Sequence, residues 1–122
     1  MQSDTTSVDF EKMLKPFAQQ ELSCPNTVRG KVACAFADAP VMIAVARCES
    51  RFRQYNADGT VLRGKENSKD LGVFQINEYW NGADAKRRGF DLKTTEGNIG
   101  YARVMYKEQG LKPWGASRSC WG

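Results

Sequence analysis

The chain has 122 residues, 41% hydrophobic and 26% charged, enough for one core and too few for two; no run approaches the ~20 apolar residues of a membrane-spanning helix. Its formal charge of +4 and pI near 9.0 suit an anionic partner such as nucleic acid or cell-wall polymer. The positive charges are scattered, however, and the densest cluster, Lys86-Arg87-Arg88, reads as a solvated helix face, so nucleic acid is not an expected partner.

The N-terminus, MQSDTTSVDFEKM, has neither a basic start nor an apolar stretch, and no signal peptide is read there. Residues 1–8 are expected to form a flexible segment, with any leader removed ahead of Met1. From Asp9 to Gln20, Phe10, Met13, Leu14 and Phe17 recur at helical spacing and predict an amphipathic first helix, which Pro16 would kink or end early. Asn26-Thr27 can cap a helix over Val28 to Phe36. Ala39-Pro40 starts the next one, whose residues Val41 to Ala46 are apolar on every side and predict burial all round. Phe52 and Tyr55 lead into the turn signal Asn56-Ala57-Asp58-Gly59-Thr60, predicting a small antiparallel hairpin with a further strand over Leu71 to Ile76. Ala83 to Arg88 reads as a short helix stopped by Gly89, and Thr94 or Thr95 opens a longer one that Gly110 ends after Gln109.

Four cysteines, at 24, 34, 48 and 120, do not have the spacing of paired metal knuckles, so disulfides are the better reading. Three pairings are open; Cys24–Cys34 with Cys48–Cys120 is favoured. In the chain-entropy account the long loop contributes roughly 4 kcal/mol and the short one roughly 3 kcal/mol. Such staples imply an oxidising location: secreted, periplasmic or cell-surface. Histidine is absent, which removes His-based triads, His general bases and most catalytic zinc sites. The stretch Asn56 to Gly59 resembles a calcium loop only faintly: Gln54 and Lys65 occupy ligand positions, and no metal or other cofactor is expected.

The run ARCESRF, residues 46–52, sets a glutamate at the end of an apolar helix. Desolvation there disfavours the charged form, so Glu49 is expected to hold its proton towards neutral pH. Asp70 lies in the polar run SKDLG and is expected to stay ionised. A proton donor facing a fixed negative charge is equipment for cleaving an acetal such as a glycosidic bond. Either acid alone would ordinarily be a surface charge; the pair carries weight through its surroundings.

Residues 46–80, ARCESRFRQYNADGTVLRGKENSKDLGVFQINEYW, resemble the active-site stretch of the lysozyme superfamily. Glu-Ser after an apolar helix, the strand DLGVFQIN and the aromatic pair behind it are similar to animal c-type lysozymes. ES…GVFQI, the helix with Asn98, Ile99, Ala102 and Tyr106, and the terminal PWGASRSCW are similar to bacterial lytic transglycosylase-like domains. The resemblance covers roughly Ile43 to Trp121. It departs from c-type lysozymes in a longer Glu49-to-Asp70 segment and fewer cysteines, and from many lytic transglycosylases in having Asp70.

The resemblance implies a single lysozyme-like domain over residues 1–122, of the α+β class: mostly helical, with one small antiparallel sheet flanking an active-site cleft. It implies a monomeric enzyme acting on peptidoglycan glycan strands, cleaving the β-1,4 bond between N-acetylmuramic acid and N-acetylglucosamine. Glu49 would be the acid and Asp70 the nucleophile or stabiliser. A lytic transglycosylase forming 1,6-anhydromuramic acid, or a catalytically silent glycan-binding module, are the alternatives. Substrate contacts are expected from Ser50, Gln75, Asn77, Trp80, Tyr106 and Trp114. Core packing suits Tyr106 and Trp114 equally well, and Ser50 can equally hold the chain. Strict alternation sets Gln75 and Asn77 on one face of the strand and Asp70 on the other, unless Gly72 introduces a kink.

Overall fold

A computed structural model describes residues 24–122; the expected flexible segment and the expected helix over Asp9 to Gln20 lie outside them. Helix α1, Val28–Ala35, opens where Thr27 accepts a hydrogen bond from the Gly30 amide at 3.0 Å. This satisfies one of the first-turn N–H groups that a helix leaves without partners. The Cys24–Cys34 disulfide ties the chain entering α1 to its last turn.

Helix α2, Val41–Ser50, starts directly after Pro40, as expected. Its burial is confined to one stripe, Met42, Val45, Ala46 and Ser50, while Val41, Ile43 and Ala44 are only half-buried. The apolar run suggested burial all round. A ten-residue helix packed on neighbours from one side buries the i, i+3, i+4 positions only. The chain then reverses through Arg51 and Phe52, both at positive φ (55° and 61°), a conformation non-glycine residues adopt at a cost. Ser50 secures it: its Oγ accepts from the Arg53 amide at 3.1 Å, and its carbonyl accepts from Arg53 Nε at 3.1 Å.

The turn at Asn56 to Thr60 forms where its residues predict it, closed by Asn56 N–H to Thr60 O at 2.7 Å. The expected hairpin around it reduces to isolated bridges, Tyr55 with Val61 and Arg63 with Leu71. The expected strand over Leu71 to Ile76 is instead two short ones, β1 (Asp70–Leu71) and β2 (Ile76–Asn77), antiparallel, with Asp70 opposite Asn77 and Leu71 opposite Ile76. Gly72 is the reason: it takes φ +67°, and a Cβ there would lie 2.1 Å from Gln54 Oε1. Only glycine permits both the reversal and that close approach.

The buried turn between the strands has no ladder partners, and side chains supply them. Gln54 Oε1 accepts from the Val73 amide at 2.9 Å. Asn98 Oδ1 accepts from the Phe74 amide at 2.9 Å, and Asn98 Nδ2 donates to Leu71 O at 2.8 Å. Trp114 Nε1 donates to Phe74 O at 2.9 Å. Three separate parts of the chain therefore fix the ribbon's turn.

Helix α3, Glu78–Arg87, begins five residues before the expected Ala83, because Asn77 is its N-cap: Oδ1 accepts from the Trp80 amide at 3.0 Å. Arg87 and Arg88 pair with Asp84, and Arg88 also with Glu108 at 3.1 Å, so the basic cluster is indeed a solvated face. Helix α4, Thr95–Gln109, is capped by Thr94 and ends at Gly110 as expected. A 3₁₀ segment, Lys112–Ser117, and a short helix α5, Arg118–Trp121, follow; neither is evident in the hydrophobic pattern. Cys48–Cys120 ties α5 to α2 with Cα atoms 6.0 Å apart. The core gathers Val32, Phe36, Met42, Val45, Phe74 and Trp114 among others, with Phe74 bridging Phe36 and Trp114 ring to ring at 5.4 and 5.9 Å. The whole is a mixed α+β fold, mainly helical, with one two-stranded antiparallel sheet among the described residues.

Candidate functional site

A cleft of about 290 Å³ opens between the end of α2, the ribbon and the C-terminal segment. Glu49 lines it from α2, and Asp70, Gln75 and Asn77 line it from the ribbon. Its apolar lining comes from Ile76, Met105, Pro113, Trp114 and Ala116, and Asn81 and Gln109 add amides. Glu49 and Asp70 are the only charged side chains in that lining.

Glu49 stands where its sequence predicts, in the last turn of α2. Withdrawal from water pushes its carboxyl above the ordinary glutamate value, the nearby charge of Asp70 pushes the same way, and a hydrogen bond from Ser117 works against both. The direction is the one the apolar run implies. Ser117 Oγ lies 2.5 Å from Glu49 Oε2, within the range of an O–H···O⁻ bond.

Asp70 accepts a hydrogen bond from Asn77 Nδ2 at 3.1 Å across the ribbon. The kink at Gly72 thus removes the conflict that strict alternation posed: as register partners, Asp70 and Asn77 project to the same side. Gln75 sits in the turn at φ +48° and donates from Nε2 to Gly72 O at 3.0 Å. Its amide faces the cleft while bracing the turn.

The other predicted contacts fall differently. Trp114 is 3% exposed; it is both core and cleft floor. Trp80 is 77% exposed in the first turn of α3, edge-on to Tyr79 at 4.7 Å, outside the cleft lining but one residue from Asn81. Ser50 does not reach the cleft: it is buried, and its Oγ is used between Ala46 O and the Arg53 amide. Tyr106 is likewise turned away, its ring set edge-on to Phe36 at 6.2 Å. Met105 and Gln109, one turn apart on α4, are the residues facing the cleft, which places Tyr106 about 100° round the helix.

Ser117 and Trp121 were not expected in the site. Trp121 Nε1 donates to Ser117 Oγ at 3.0 Å and to Trp114 O at 3.1 Å. The favoured pairing of Cys48 with Cys120 already carried the signal, since Cys48 precedes Glu49 and Cys120 lies between Ser117 and Trp121.

A larger groove, about 600 Å³, lies over Leu71, Phe90 and Leu92 and contains none of the predicted site residues. Its acids are in structural use: Glu78 pairs with Arg63 at 3.2 Å, and Asp91 Oδ1 accepts from the Lys93 amide at 2.9 Å. No group of three or more His, Cys, Asp or Glu among the described residues could hold a metal ion. Comparison with protein-family models, with curated proteins and with solved structures finds no match to this chain.

Proposed function

We propose that the protein is a lysozyme-like peptidoglycan muramidase, cleaving the β-1,4 bond between N-acetylmuramic acid and N-acetylglucosamine. The observation that carries the reading is the cleft itself: two carboxylates line it, and one of them is held towards its protonated form by an apolar wall. Such a pair supplies both needs of acetal cleavage, a proton for the leaving oxygen and a negative charge for the oxocarbenium-like transition state. Glu49 gives its proton to the glycosidic oxygen as the C–O bond breaks. Asp70 stabilises the positive charge that develops at the sugar carbon, or bonds to it, until water adds and returns a proton to Glu49. The substrate class rests on the resemblance of ARCESRF, DLGVFQIN and PWGASRSCW to lysozymes and lytic transglycosylases. The two disulfides suit an enzyme that works on cell wall in an oxidising setting.

One contact bears on the role of Asp70 and admits a second reading. Asp70 is tethered by the Asn77 amide, which suits a fixed stabilising charge better than an attacking nucleophile. A stabiliser is compatible with lytic transglycosylation, in which the muramic acid C6 hydroxyl attacks in place of water and Glu49 serves first as acid and then as base. Digestion of purified peptidoglycan followed by mass spectrometry separates the two. Reducing-end muramic acid is the expected product; fragments lighter by one water would assign the transglycosylase route. Glycan binding with no cleavage by the wild type would identify a silent binding module.

A further inference from the structure

Glu49 has two carboxylate oxygens, and the fold treats them differently. Oε2 is 2.5 Å from Ser117 Oγ, while Oε1 has no hydrogen-bond partner among the described residues. Ser117 Oγ in turn accepts from Trp121 Nε1 at 3.0 Å and lies 3.1 Å from Trp114 O. The same indole N–H also reaches Trp114 O at 3.1 Å. Ser117 has a single hydroxyl hydrogen, and of its two acceptors Glu49 Oε2 at 2.5 Å is much closer than Trp114 O at 3.1 Å, so the hydrogen is directed at Glu49.

We infer that Ser117 is a positioning residue for Glu49: by donating to Oε2 it leaves Oε1 as the oxygen that carries the proton into the cleft. A carboxylic acid whose C=O oxygen already accepts a hydrogen bond keeps its proton on the other oxygen, here the one left open to a leaving group. When that proton departs, Ser117 still donates to Oε2 and holds the carboxylate in place for the return step. Trp121 orients Ser117, and Cys48–Cys120 holds the strip of chain carrying both against α2. This assignment rests on the cleavage reading for its catalytic consequence, but not for the contact itself.

Of the charged side chains nearest in the chain, none of Arg47, Arg51, Arg53, Lys112 and Arg118 pairs with Glu49 among the described residues. Asp70 is the one other charged side chain in the cleft lining, and its charge acts on Glu49. The titration of Glu49 therefore reports on its apolar wall, Asp70 and Ser117.

The test uses Ser117→Ala and Ser117→Thr. The alanine variant leaves Trp121 Nε1 bonded to Trp114 O, so the indole keeps a partner and the fold is expected to persist, checked by thermal unfolding. Carbon-13 titration of the Glu49 carboxyl, which needs no substrate, should move to higher pH in Ser117→Ala, because a donor to the ionised form has been lost. On peptidoglycan, kcat should fall about 10- to 100-fold with KM little changed, and the alkaline limb of the profile should follow the titration upward. Ser117→Thr keeps the hydroxyl and should restore both. An unmoved titration in Ser117→Ala overturns the assignment, as does a moved titration with wild-type kcat. Absence of turnover in the wild type would count against the cleavage reading instead, and the titration would then decide on Ser117 by itself.

Discussion

Asn77 donates its side-chain amide to Asp70 across the two-stranded ribbon at 3.1 Å, and its side-chain oxygen caps α3 through the Trp80 amide at 3.0 Å. One residue thus links the start of a helix to the placement of a cleft carboxylate.

The two roles of Asn77 can be separated by substitution. Asn77→Ala removes both, and should cost about 1 kcal/mol through the lost cap, a fall in Tm of roughly 4–8 °C for a small domain. Asn77→Asp keeps a cap acceptor at the positive end of the helix but sets a carboxylate against Asp70. Its Tm should stay near that of the wild type while peptidoglycan turnover falls in both variants. Equal losses of stability in the two would mean that the Asp70 contact, and not the cap, is what stabilises the ribbon.

Cys48–Cys120 closes the longer of the two loops, with 72 residues of separation. Replacing both cysteines by alanine should cost roughly 4 kcal/mol. Activity should fall further than stability alone explains, because Ser117 and Trp121 are no longer held against Glu49. Turnover measured well below the variant's unfolding temperature checks this; activity equal to wild type there would separate the staple from the site.

Glu49 contributes to stability with a definite sign. Its carboxyl titrates above the ordinary glutamate value in the folded chain, so the folded state favours the protonated form. That preference is fully expressed below the unfolded-state value and is lost as pH rises through the folded one. Glu49→Gln, neutral at every pH, should therefore gain stability relative to wild type as pH rises through that window, and the difference should shrink in acid. Thermal unfolding of both proteins between pH 3 and 8 reads it. A difference that is flat with pH would show that Glu49 is not held by its apolar wall.

Much of this architecture is legible in the residues because it rests on local chemistry. Thr27 and Thr94 cap helices where an hydroxyl precedes a helical pattern, Gly110 ends one, and the turn at Asp58-Gly59 forms as written. Glu49 follows from an apolar run ending in a carboxylate. What was missed depends on distant partners. The ribbon's reversal at Gly72 needs Gln54 and Asn98, which lie far off in sequence and become buried only in the fold. The early start of α3 turns on Asn77, which ends β2 and caps the helix at once; alternation reads only its place in the strand. Ser50 follows Glu49 in the chain yet points into the protein, since adjacent helical positions lie about 100° apart. Ser117 lies 68 residues from Glu49, and although Cys48–Cys120 brings the C-terminus back to α2, nothing in its own neighbours marks it as the contact.

The central claim is that two carboxylates act together on a glycosidic bond, and turnover of purified peptidoglycan by Glu49→Gln and Asp70→Asn tests it most directly. Glu49→Gln keeps the shape but has no proton to give, so turnover should drop by roughly 100-fold or more while glycan binding survives. Asp70→Asn should also lose turnover, by a comparable factor if Asp70 bonds to the sugar. Near-wild-type activity in Asp70→Asn beside an inactive Glu49→Gln would contradict the two-carboxylate account and leave Glu49 working alone.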